Sequence, residues 1–154
     1  MDRRRPPITE ILHTHLAQQL EGKSGLRRRR VETAAAHLER YLETEGPAQL
    51  TDHDRTVLEM ERQFDSDRAF LHTMNADPLV LALPDFLCDP WLLPDRIDRA
   101  AQVRYASALS DLITRCRLVN GREFLLPLTR LHVALLTARR DVDRERIAAS
   151  TRRR

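Results

Sequence analysis

At 154 residues, 42% of them hydrophobic and 32% charged, the chain is long enough to bury one core without disulfide or metal staples, and too apolar to be disordered throughout. No apolar run reaches the roughly 18–20 residues that a membrane span needs, and the positive start Arg3-Arg4-Arg5-Pro6-Pro7 leads into an amphipathic segment rather than the apolar stretch of a secretory signal. A cytoplasmic protein with no membrane partner is expected, and its formal net charge of +3 conceals an uneven distribution: residues 1–30 hold eight Arg/Lys against three Asp/Glu, residues 31–75 four against ten, and residues 122–154 nine against four.

Helical periodicity dominates, and the spacing predicts five longer helices in an all-α bundle. The first runs from Ile8 to Glu21, with Ile8, Ile11, Leu12, Leu16 and Leu20 on one stripe and Gly22-Lys23-Ser24-Gly25 ending it. The second covers Leu26 to Thr44, buries Val31, Ala34, Ala35, Leu38, Tyr41 and Leu42, and stops at Gly46-Pro47. Its first turn carries Arg27-Arg28-Arg29-Arg30, against the helix dipole, which invites a functional explanation. The third starts at Thr51 as N-cap and runs to about Asn75, with Val57, Met60, Phe64, Asp67, Leu71 and Met74 inward.

From Ala76 to Pro94 the prolines Pro78, Pro84, Pro90 and Pro94 predict a crossover with short helical turns at most, its apolar residues packed on something. The fourth helix spans Asp95 to Val119, faces inward through Ile97, Ala101, Tyr105, Ala108, Leu109, Leu112, Ile113 and Cys116, and ends at Asn120-Gly121 as a left-handed stop. The last begins near Arg122, has Pro127 in its early turns, and presents Leu128, Leu131, Leu135, Ala138 and Val142 before it fades into arginine-rich sequence. This divides the chain into a basic arm with a short amphipathic helix (1–25), a single helical domain (26–150) and a basic tail (151–154).

Catalytic chemistry finds little support. There is no HExxH, GxxxxGK[ST], GxSxG or dinucleotide-binding glycine pattern among four glycines, so neither an enzyme nor a cofactor is read from the chain. Cys88 and Cys116 lack CxxC spacing and are expected as reduced, buried thiols. His13 and His15 point away from each other on a helix and are expected as structural side chains. A ligand or metal set of Asp67, His72 and His132 requires the third and last helices to be neighbours.

Three stretches resemble the helical ligand-sensing C-terminal domain of FadR-type GntR transcription regulators. Arg30-Val31-Glu32-Thr33-Ala34-Ala35-Ala36-His37-Leu38 is similar to that domain's opening helix, and Asp67-Arg68-Ala69-Phe70-Leu71-His72 with Asn75-Ala76-Asp77-Pro78-Leu79 resembles its Asp-x-x-Phe-His helix and Asn-Pro-Leu step. Leu131-His132-Val133-Ala134-Leu135-Leu136-Thr137-Ala138 followed by Arg140-Asp141 resembles its closing helix. The resemblance implies a sensor domain over residues 30–150 without the winged helix, with Asp67 and His132 in a polar-lined cavity and a role in transcription regulation. His72 falls one place late for the family's Asp-x-x-x-His pair, and no further histidine follows His132.

The leading reading is a small non-catalytic helical protein that binds nucleic acid, mostly without sequence preference. Its phosphate contacts would be Arg3, Arg4, Arg5, Arg27, Arg28, Arg29, Arg30, Arg152, Arg153 and Arg154. A DNA-associated accessory protein of phage or mobile-element assembly is one concrete form. The alternatives are the ligand-sensing domain implied by the resemblance, and a homo-oligomeric scaffold in which basic ends meet the acidic region 31–75 of a neighbouring copy.

Overall fold

The computed structural model describes residues 4–154, and the expectation placed on Arg3 lies outside the described residues. Those residues form seven α-helices and one 3₁₀ turn with no strand among them. Helix α1 (Ile8–Leu20) buries Ile8, Ile11, Leu12 and His15. It is fixed to the body by the Ile8 amide donating to the Met74 carbonyl (2.8 Å) and the Thr9 hydroxyl donating to the Leu71 carbonyl (2.9 Å). The segment expected as an appended arm is therefore part of the same core as the rest of the chain.

Helix α2 (Gly25–Glu45) is the central strut, packed against α1 and most of the elements that follow. Its small Ala34 and Ala35 allow close helix approach, and its buried Tyr41 donates from its hydroxyl to the Ala82 carbonyl. A 3₁₀ turn (Gly46–Gln49) follows, where Gly46 lies directly under the Phe70 ring.

The long helix expected over residues 52–75 is interrupted. Helix α3 (Asp52–Arg62) is capped as expected, the Thr51 hydroxyl accepting from the Asp54 amide at 3.2 Å, but the chain then turns and restarts as α4 (Ala69–Thr73). Asp65 explains the break, because its carboxylate accepts from the Arg68 amide (3.3 Å) and binds the His72 ring (2.7 Å), a local bonding pattern that competes with helical continuation. The phase of the apolar stripe changes across this turn. Leu58 is buried whereas Met60 is 61% and Phe64 87% exposed, and Asp67 is also exposed; Phe70, Leu71 and Met74 are buried beyond the turn.

The proline-rich segment expected as a crossover contains a true helix, α5 (Ala76–Phe86), which sits at the centre of the core and buries Leu79, Val80, Ala82, Leu83 and Phe86. Pro78 occupies the first turn, where amides have no intrahelical acceptor, so its missing N–H costs little; Pro84 lies in the last turn and removes only the one amide that would reach the Val80 carbonyl. Asn75 caps the helix by accepting from the Asp77 amide at 3.0 Å.

Helix α6 (Arg96–Arg115) starts on Asp95, whose carboxylate accepts from the Ile97 and Asp98 amides at 2.9 Å each. It buries Ala101, Val103, Tyr105, Leu109, Leu112 and Ile113, while Ile97 is exposed. It ends four residues before Val119 in a Schellman turn: Leu118 donates to the Ile113 carbonyl (3.0 Å) and Arg117 to that of Thr114 (3.2 Å). Arg117, not Asn120 or Gly121, takes the left-handed conformation, with φ of 51°.

Asn120 instead organises the turn that leads into the next helix by accepting from the Arg122 and Glu123 amides. Helix α7 (Leu125–Arg152) packs on α5 and α6 through Leu131, Leu135 and Ala138, then continues past Val142 to Arg152, further than expected. Pro127 lies in its first turn. The last tie to the body is the Arg99–Glu145 ion pair. Cys88 and Cys116, expected as buried thiols, are exposed, because one follows the end of α5 and the other caps α6.

Buried polar groups complete the interior. The fully buried Gln102 carboxamide accepts from the Leu93 amide (2.9 Å) and donates to the Phe86 and Trp91 carbonyls (3.0 Å each), tying the loop after α5 to α6. His15 is equally buried, its Nε2 3.0 Å from the Tyr105 carbonyl and its Nδ1 without a partner among the described residues. A carbonyl can only accept, so Nε2 carries a proton, and a second proton on the buried, partnerless Nδ1 would be costly. Burial accordingly holds the His15 pKa below its ordinary value, opposed by the bond to Tyr105.

Candidate nucleic-acid interface

The arginines expected to act together are dispersed by the fold. At 100° per residue, four consecutive positions on a helix point around its whole circumference. Arg28 pairs with Glu32 at 3.0 Å, Arg29 projects into solvent, and only Arg27 and Arg30 enter a common cleft. At the far end of α7, Arg154 lines a shallow groove with Arg146 and Thr151. That groove lies roughly 40 Å from the start of the helix, at 1.5 Å per residue, so Arg152, Arg153 and Arg154 stand apart from Arg4 and Arg5, which lie beside that start.

Two basic clefts emerge from the packing. The larger, about 1090 Å³, lies at the α6–α7 corner beside the N-terminal segment and is lined by Arg4, Arg5, Arg115, Arg117 and Arg122, with no Asp or Glu in its walls. Arg5 is 2.9 Å from Asp77, whereas Arg4, Arg115, Arg117 and Arg122 make no ion pair with a described residue. The Asp77 carboxyl is raised above its ordinary value by burial, and Arg5 opposes that rise. Three of these cations surround the carbonyl end of α6, where the helix dipole favours positive charge, so gathering them costs less than it would elsewhere. Arg117 is directed there by its left-handed turn.

The second cleft, about 510 Å³, is lined by Lys23, Arg27, Arg30 and Arg104 with Gln19 and Tyr105. Arg30 is partly neutralised by Asp98 at 3.7 Å. Arg104 and Arg115 are eleven residues apart on α6, which returns them to within about 20° of the same face and separates them by about 16 Å along it. The outer face of α6 thus joins the two clefts, interrupted by the exposed Asp111. Arg104, Arg115, Arg117, Arg122 and Lys23 were not singled out from sequence, where they are isolated charges. The eleven-residue spacing of Arg104 and Arg115 was the signal available.

The Asp67, His72 and His132 set is not assembled. His72 binds Asp65 rather than Asp67, Asp67 is exposed beside Ser66, and His132 is exposed on α7, which packs on α5 and α6. Among the described residues no three His, Cys, Asp or Glu side chains converge as a metal site. No helix among them is long and apolar enough to cross a membrane. No family model, curated protein or solved structure matches the chain, so its chemistry is read from its own residues.

Proposed function

We propose that this protein is a non-catalytic binder of nucleic acid that holds the phosphate backbone along the outer face of α6. The observation that carries the reading is the acid-free wall of the larger cleft, where Arg4, Arg115, Arg117 and Arg122 stand without carboxylate partners among the described residues. Side chains so placed neutralise phosphates and release counterions, a contribution that does not depend on base sequence. Arg104 and the second cleft extend the same strip by about three turns of helix. The reading differs from the one based on terminal clusters, since it moves the main contacts from Arg28, Arg29 and Arg152–Arg154 to the α6–α7 corner.

The test is fluorescence anisotropy with a labelled duplex of about 30 base pairs between about 50 and 300 mM salt. About five phosphates neutralised predicts a log–log slope near −4 to −5. Replacing Arg115, Arg117 and Arg122 together by alanine is expected to reduce that slope by about 3, while the same change at Arg152–Arg154 leaves most of it. Absence of binding at the lowest salt, or a corner variant that binds like the parent, overturns the proposal.

A further inference from the structure

We infer that copies of this chain associate head to tail, the outer face of α3 on one copy seating against the outer face of α7 on the next. The two faces are unpartnered within the chain: α3 packs on α4, and α7 packs on α5 and α6. Met60, on the side of α3 away from the buried Leu58, and Phe64, in the turn that follows the helix, stand out at 61% and 87% exposure. Glu59 and Glu61 lie to either side of Met60, and residues 52–67 carry six carboxylates against two arginines, Arg55 and Arg62. On α7, Leu125, Leu136 and Ile147 are spaced eleven residues apart, which keeps them within about 40° of one line. All three are more than half exposed, on a flank of the helix turned away from the buried Leu131 and Leu135. Arg140 and Arg144 lie along one side of the Leu136–Ile147 segment and outnumber Asp143, which borders the other and is paired with Arg146.

Charge decides the pairing. The spacing about Leu136 would also suit a two-fold pair of antiparallel α7 helices, but that arrangement lays Arg152–Arg154 of one copy along the corner holding Arg115, Arg117 and Arg122 of the other. Two α3 faces would oppose carboxylates to carboxylates. Only α3 against α7 sets an apolar patch with an acidic rim on an apolar patch with a basic rim, Glu61 facing Arg140 and Arg144. Such a contact is heterologous, so it propagates into rings or open chains rather than stopping at two copies. A patch of a few side chains is at the small end of interface sizes, so each link is weak and depends on concentration and salt.

Sedimentation velocity without nucleic acid tests this independently of phosphate binding. The parent is expected to exceed monomer mass as its concentration rises to about 100 μM, less so in high salt. Phe64→Asp and Leu136→Asp should each be monomeric, because each lacks one of the two faces. Mixed in equal amounts they should form a species of two chains and no larger, since each retains the face the other has lost. A monomeric parent, a mixture that stays monomeric, or either single variant that still self-associates overturns the inference. Should either variant lose helical circular dichroism, the exchange of Glu61→Arg with Arg140→Glu replaces it: each change alone must weaken association and the pair must restore it.

Discussion

Gln102→Leu should be among the most damaging single changes in the chain, although it exchanges a polar side chain for an apolar one inside the core. The carboxamide serves three backbone groups, and Trp91 keeps a second contact because its carbonyl also lies 2.7 Å from the His37 ring. Leucine therefore strands the Leu93 amide and the Phe86 carbonyl. A buried group left without a partner costs about 1–3 kcal/mol, and the half-buried position of Leu93 lets water recover part of it, so about 2–4 kcal/mol is expected. In a domain of this size that lowers Tm by roughly 5–15 °C. Urea unfolding followed through Trp91, the single tryptophan, reports on the same loop. Gln102→Glu adds a second arm: its carboxylate can still accept from Leu93 but sets negative charge against two carbonyls, so its deficit should shrink in acid as the group protonates. A Gln102→Leu variant within about 0.5 kcal/mol of the parent would refute the idea that this side chain staples the loop.

Three further outcomes follow from the packing. Gly46→Ala places a Cβ 2.4 Å from the tip of the buried Phe70 ring, so despite the gain of about 0.5–1 kcal/mol that alanine brings to a helical backbone, denaturant unfolding should show a net loss of about 1–2 kcal/mol, relieved in the Phe70→Leu background. Because the folded pKa of His15 lies below its unfolded value, the unfolded chain binds the extra proton. Stability should therefore fall as pH drops below about 6.5, and His15→Gln should flatten that slope in urea titrations at stepped pH. Arg117→Gly removes the left-handed penalty at the end of α6, and should raise stability by about 0.5–1 kcal/mol while reducing the salt slope of nucleic-acid binding by about 1, a separation that a purely structural arginine would not give.

The fold class and the inner faces of α1, α2, α6 and α7 were legible because regular apolar spacing survives wherever a helix is continuous. The break between α3 and α4 was not, since Phe64, Asp67 and Leu71 keep helical spacing across it and only the Asp65 bonds end the helix. The helix α5 was hidden by Pro78 and Pro84, which read as breakers until their places in the first and last turns are known. His15 and Gln102 share the apolar stripes of their helices, but their bonds were not legible, because their partners, Tyr105, Phe86, Trp91 and Leu93, come from other parts of the chain. The candidate site was obscured in a different way. Arginines adjacent in sequence diverge on a helix, whereas Arg115, Arg117 and Arg122 meet through a turn whose left-handed residue is not glycine.

Helix α7 outruns the body it packs on. Beyond Glu145 its backbone is sustained by its own hydrogen bonds, and a run of so few residues is marginal in water. Amide exchange should therefore quicken along Ile147 to Arg152 while Leu131 and Leu135 stay protected. On the proposed function, the arginines at its tip would then act as a tether rather than a socket: carried on a fraying turn, they would make early and forgiving contact with an anionic polymer and lose chain entropy as they settle. Their contribution should appear in the rate of capture, and that of the α6–α7 corner in how long the complex lasts.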